Sequence, residues 1–124
     1  MLTFEESREA LTQIADSLPV AIFNELNGGV LLLPDTITDE NDLLILGQYN
    51  VDPLGFGRYV TIHYGSMQQA YGHLSRKDFE KELEDVLRHE LIHHLESLAG
   101  DDSLEIKDAI EMERMLRFKR RRKN

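Results

Sequence analysis

The chain has no cysteine and no tryptophan, and only three prolines in 124 residues. Without cysteine there are no disulfides and no thiolate metal ligands, a usage that suits a reducing cytoplasm. No apolar run approaches the roughly 18 residues that a membrane helix needs, so no membrane span is expected. The opening "MLTFEESREA" lacks the basic start and apolar stretch of a signal peptide. The expected location is therefore cytoplasmic.

Positive charge is scarce except in one place. The net charge is −9, from 14 basic and 23 acidic residues, yet "RFKRRRKN" (117–124) holds six basic residues and no acidic one. Residues 1–116 are left with eight basic against 23 acidic residues, a balance of −15. An acidic body discourages non-specific contact with nucleic acid. The tail offers a contact for RNA, an acidic partner or an anionic surface, or simply places cations at the negative pole of a helix.

What is present describes one globular domain. A 41% hydrophobic and 30% charged composition is that of a folded chain, and the length allows a modest core. Thr3 with Glu6 forms a capping box, after which Phe4, Leu11, Ile14, Ala15 and Leu18 repeat at helical spacing. Pro19 stops that helix and opens a short second one, "PVAIFNEL", which Asn27-Gly28-Gly29 ends. "VLLLP", "LLILGQY" and "RYVTIHY" read as strands, with "NVDPLGFG" as a turn. "GSMQQAYGHL" reads as loop. Ser75 and Asp78 cap a long helix that should run to about Ala99 and stop at Gly100. Asp102-Ser103 can cap a last helix, "LEIKDAIEMERMLRF". Helices, about three strands, then two helices predict an α+β fold.

The chemistry concentrates in "LRHELIHHLESLAGDD". His89 and His93 are four residues apart, so on a helix they project from one face, one turn from each other. Two imidazoles so placed can hold one zinc ion at about 2.0–2.1 Å. Glu90, about 100° round from His89, stands beside the metal without ligating it, where it can take a proton from water and pass it to a leaving amine. His94 points elsewhere and is expected to bond Glu90 or backbone, or to flank the cleft. His63 and His73 read as ordinary strand and loop histidines. The third ligand is open on spacing alone: Glu96, Asp101, Asp102, Glu105, Asp108 and Glu111 all come into question. Glu96 is also placed to orient His93 from behind.

"HELIHHLESLAGDDSLE", with "ELNGGVLLLPD", "LILGQY" and "GRYVTIHYGS", resembles the small bacterial zincin-like metallopeptidases, a family with a minimal metalloprotease-like fold. The resemblance spans nearly the whole chain up to the tail. It implies a zincin-like domain over 1–116, with a small sheet packed on the active-site helix, followed by the basic tail 117–124. It implies a zinc cofactor, metal ligands at His89 and His93, a catalytic Glu90, and a peptide or protein substrate. The better-known branch has a glycine and, three residues on, an acidic residue where this chain has Glu96 and Ala99; Gly100 comes a turn later, which makes Asp102 the nearest equivalent of a third ligand. The comparison also implies that "RYVTIHY" borders the cleft and pairs with an extended peptide. Tyr64, Tyr71 and His73 are then candidate oxyanion donors. Gly55 and Gly57 mark either a lid or a plain hairpin connection. Against the zinc metallopeptidase stands a non-catalytic metal-binding or adaptor module that works through the tail.

Overall fold

The structure, a computed structural model, describes the backbone of residues 1–122 and the side chains through Arg117. Helix α1 (Phe4–Asp16) begins at the Thr3 capping box: Thr3 Oγ1 accepts from the Glu6 amide at 3.1 Å and Glu6 accepts from the Thr3 amide at 2.9 Å. Its apolar stripe of Ala10, Leu11 and Ile14 faces inward. Beyond Pro19 the chain makes a single 3₁₀ turn, Val20–Phe23, shorter than the expected helix. Glu25, with φ of 63°, already breaks the path before the glycines.

Three strands follow: β1 (Gly29–Leu33), β2 (Gly47–Asp52) and β3 (Gly57–His63). Their order is β1-β3-β2, with β1 parallel and β2 antiparallel to β3. The middle strand is the one richest in β-branched residues, as burial by neighbours on both sides favours. Both edges of β3 are thus occupied, and "RYVTIHY" cannot pair with a further chain. The strand that borders the long helix with a free edge is β2. It starts later than "LLILGQY" suggests and takes in Asn50–Asp52, which had read as loop. Residues 43–46 instead form an arm held by a Thr38–Leu44 bridge and by the Ile45 amide on the Ile37 carbonyl at 2.9 Å. Gly55 lies in the β2–β3 hairpin connection, and Gly57, with a φ of 72°, opens β3 directly after it.

Where loop was expected there is a helix, α2 (Tyr64–Tyr71). No apolar periodicity announces it, because tertiary contacts hold it. Gly65 lies so close to Asp35 and Thr36 that a Cβ there would collide with them, and Met67 is fully buried. Ser66 Oγ accepts from the Ile37 amide at 3.0 Å.

Helix α3 (Arg76–Gly100) is capped by Ser75 and is the longest element. Phe79, Leu83, Leu87, Leu91 and Leu95 recur every fourth residue and are fully buried against α1 and the sheet. Gly100 remains helical. The left-handed residue that ends the run is Asp102, with φ of 59°, a conformation that aspartate tolerates better than most side chains. Helix α4 (Ile106–Arg122) starts three residues beyond the expected cap at Asp102-Ser103, with the Glu105 carbonyl accepting from the Ala109 amide. It packs on α3, and Arg88 donates to the Leu116 carbonyl at 2.7 Å. The helix crosses residue 116 unbroken; the side chains of the basic tail from Phe118 onward lie outside the described residues. Among the described residues the architecture is α+β, with a small mixed sheet and four α-helices. Among the described residues no helix is long and apolar enough to cross a membrane.

Candidate metal centre

The face of α3 opposite its leucines carries the motif. His89 and His93 are both exposed, their rings nearly perpendicular at 88° with centroids 4.7 Å apart, and their Nε2 atoms stand 3.2 Å from each other. A tetrahedral ion with zinc–nitrogen bonds of roughly 2.0–2.1 Å separates two of its ligand atoms by about 3.3–3.4 Å. The pair thus has the spacing of two ligands on one ion. Glu96 sits behind His93, its Oε1 3.3 Å from Nδ1. A proton on Nδ1 satisfies that carboxylate and leaves the Nε2 lone pair on the outward side. Glu113 of α4 lies near Glu96, and burial, then the charge of Glu96, push its carboxyl above the ordinary value.

Glu90 is buried beside the pair. Burial pushes its carboxyl up, and the two histidines pull against that. A glycine makes this arrangement fit: a Cβ on Gly47 would stand 2.7 Å from Val86 Cγ1 and 3.2 Å from Glu90 Cγ. The first residue of β2 therefore rests directly on the helix at the level of the motif.

The third expected ligand does not join the histidines. Among the described residues no three His, Cys, Asp or Glu side chains gather closely enough to hold a metal ion. Asp102 lies exposed in the turn after α3. The other carboxylates have places of their own: Asp101 pairs with Arg58, Glu96 backs His93, Glu105 and Asp108 open α4, and Glu111 is 4.0 Å from Arg114. The donor set is two imidazoles with a carboxylate behind one of them and a second carboxylate alongside.

His94 turns away from the motif into the interior. Its Nε2 donates to the Asn24 carbonyl at 2.8 Å, so its Nδ1, 2.8 Å from the Tyr49 hydroxyl, accepts. Burial first, then the charge of Arg58, hold it below its ordinary pKa, against the Asn24 hydrogen bond. It bonds backbone, as one of the expected alternatives had it, and not Glu90. Arg58 of β3 donates to the Tyr49 hydroxyl at 3.2 Å, and also reaches Ser97 and Asp101. A polar chain thus ties the last turns of α3 to β2 and β3. Neither Tyr49 nor Arg58 was singled out by the sequence. The one available signal was the alternation of β2, which sends Gly47 and Tyr49 to the same side.

His63 is buried, with Nδ1 2.7 Å from Asp35 and Nε2 3.1 Å from Gln48. It fastens the end of β3. Tyr64 donates to the Leu2 carbonyl at 2.6 Å and packs edge-on against Phe4 and Phe79, which removes it from any oxyanion role. His73 is exposed on the turn between α2 and α3.

A cleft follows the line between β2 and α3. Its two lobes meet at Gly47, His89 and Glu90. One, of about 820 Å³, runs past Tyr49 and Val51 to His93 and Glu96. The other, of about 490 Å³, is bounded by residues 44–46, Tyr71, Glu82, Asp85 and Val86. Hydrogen-bonded and open positions alternate along an antiparallel ladder. The His63 amide bonds the Leu46 carbonyl at 2.9 Å; Gln48, Asn50 and Asp52 therefore face β3, and Gly47, Tyr49 and Val51 turn their amides and carbonyls outward.

Fold and site define an α+β protein with a three-stranded mixed sheet and a histidine pair on its longest helix. A solved structure of a conserved hypothetical protein from Thermus thermophilus matches it with a TM-score of 0.69 and 30% sequence identity, over 80% of this chain and 99% of that one. The chain belongs to the same family as that protein, whose name assigns no activity. No family model matches the chain, and no curated protein matches it significantly.

Proposed function

We propose that this chain is a zinc-dependent hydrolase that cleaves peptide bonds, a metallopeptidase of the zincin-like kind. The observation that carries the reading is the 3.2 Å separation of the His89 and His93 Nε2 atoms, with the Glu90 carboxylate buried beside them at the open edge of β2. His89 and His93 would hold the metal; Asp102, which the structure leaves apart from the pair in the turn after α3, is the third ligand that the family resemblance offers. Bound there, zinc would lower the pKa of a water toward neutrality and polarise a carbonyl. Glu90 takes a proton onto its carboxylate and returns it to the leaving amine. Glu96 keeps the His93 ring in the productive tautomer. An extended peptide adds to β2 through the outward amides and carbonyls of Gly47, Tyr49 and Val51, which places its backbone across the histidines.

Elemental analysis of protein purified without added metal tests the first half. About one zinc per chain is expected in wild type, with far less in His89→Ala and His93→Ala. A wild type as metal-poor as those variants would remove the reading. Glu90→Gln tests the second half: it should keep zinc and lose hydrolysis of a peptide library. A Glu90→Gln protein that behaves like wild type in both respects would be a metal-binding module with no turnover.

A further inference from the structure

The histidine pair offers an ion half of what a closed site needs. His89 and His93 converge on the exposed side of α3 with their Nε2 atoms 3.2 Å apart, and among the described residues no third His, Cys, Asp or Glu joins them. A zinc ion that serves as a fixed link in a protein takes four protein ligands. Exposed histidines on a helix are often merely solvated, but two that aim their nitrogens at one point are set for a common ion. Beside them runs the free edge of β2. Its sequence "GQYNVD" has no lysine, proline or bulge of the kind that ordinarily guards such an edge.

We infer that a second copy of this chain docks edge to edge along β2, and that the two His89–His93 pairs close one zinc site between them. Antiparallel pairing of β2 with its copy uses the outward amides and carbonyls of Gly47, Tyr49 and Val51 on both sides. The interface is isologous, the same patch meeting itself. The two-fold axis of such a pair stands perpendicular to the sheet. Helix α3, which packs on β2 and β3, therefore meets its copy on one face of a continuous sheet. The histidines line the cleft between α3 and the β2 edge, so both pairs face that seam. Each chain carries a net charge of −9, and Glu90 and Glu96 line the same cleft. Two such seams repel until a cation lies between them, which makes zinc the switch for association. The inference rests on the peptidase reading only for the affinity of the histidine pair for zinc. The paired form is closed, because the copy occupies the edge on which a peptide would lie. With zinc in excess each histidine pair keeps its own ion and the chains separate.

The test uses the full wild-type chain, stripped with a chelator and titrated with zinc chloride at micromolar concentration. Sedimentation velocity reads mass, and elemental analysis of the separated species reads bound zinc. The stripped chain should be a monomer. A dimer should form with about half a zinc per chain, then revert to a monomer carrying about one as zinc passes into excess. His89→Ala and His93→Ala should stay monomeric throughout. Val51→Pro removes an outward amide and should weaken the dimer about tenfold while the monomer keeps its zinc. Val51→Glu keeps every backbone group and adds like charge to the seam; it is measured as well, in case proline perturbs the strand. A wild type that stays monomeric, a dimer that persists in chelator, or a zinc dimer that neither Val51 variant weakens would overturn the inference. Turnover is read separately. Monomers that bind one zinc per chain at every stage and cleave peptides leave the hydrolase standing and the shared site refuted. A zinc-linked dimer from a wild type that cleaves nothing in excess zinc supports the shared site and refutes the hydrolase.

Discussion

The Tyr49 hydroxyl lies 2.8 Å from Nδ1 of His94, and this single bond joins the edge strand of the cleft to the helix that carries the motif. His94 is fully buried and uses its other nitrogen on the Asn24 carbonyl. Tyr49→Phe leaves Nδ1 and one Arg58 N–H without that partner. A loss of about 1–3 kcal/mol is expected, the cost of an unsatisfied buried polar group. Urea unfolding measures it, and an unchanged midpoint would mean that the bond contributes nothing. Zinc content should not change, since neither residue is a ligand.

Gly47→Ala should cost about 1–3 kcal/mol by overpacking, because the new methyl meets Val86 Cγ1 at 2.7 Å. Pushing β2 off the helix also displaces Glu90, so hydrolysis should fall with stability. Val86→Ala in the same chain removes the collision and should restore most of the lost stability. Melting of the single and double variants measures both effects, and a double variant no more stable than Gly47→Ala alone would mean that Val86 is not what the methyl meets.

Glu96→Gln removes the charge behind His93 without touching a ligand atom. Zinc affinity should fall by about tenfold, read by competition with a chromophoric chelator. The same assay on Asp102→Ala identifies the third ligand, with an affinity equal to wild type ruling Asp102 out.

At the other end of α3, Arg76 and the Thr3 amide hold the Glu6 carboxyl at about 2, below its ordinary 4.5. A carboxyl with a depressed folded-state pKa stabilises fully above its unfolded value, and that contribution fades as pH falls from about 4.5 to about 2. Wild type should therefore melt above Glu6→Gln at pH 6, and the gap should close by pH 2. Thermal melts across that range check it; a gap independent of pH would assign the effect to something other than the charge.

Much of this fold is legible in the sequence, wherever one local rule decides. The Thr3 and Ser75 caps, the β-branched run of β3 and the four-residue repeat of leucines in α3 each specify their element without help. Tertiary contact decides the rest. Helix α2 forms because Gly65 and Ser66 dock on residues 35–37, and no periodicity within "GSMQQAYGHL" encodes that docking. Strand order has the same origin: the β-branched run of "RYVTIHY" suits a central strand but does not say which strand flanks it on the helix side, so the sequence places the cleft edge one strand away from β2. At the site, a step of four residues suffices to align His89 and His93, since helix geometry alone sets it. Glu96 behind His93 follows from the same step of three. Tyr49 and Arg58 come from other elements and meet α3 only in three dimensions. A third ligand beyond Gly100 depends on how the chain turns, and spacing along a sequence carries no such angle.

Helix α3 is anchored by its leucines and presents the histidines on the opposite, exposed side. The reactive groups are passengers on an element that is fastened without them. Copies that have lost the exposed histidines should still fold, giving up only the stability that a bound metal adds. Selection, or an engineer, can therefore rewrite what the outer face does while the leucine side keeps the molecule intact.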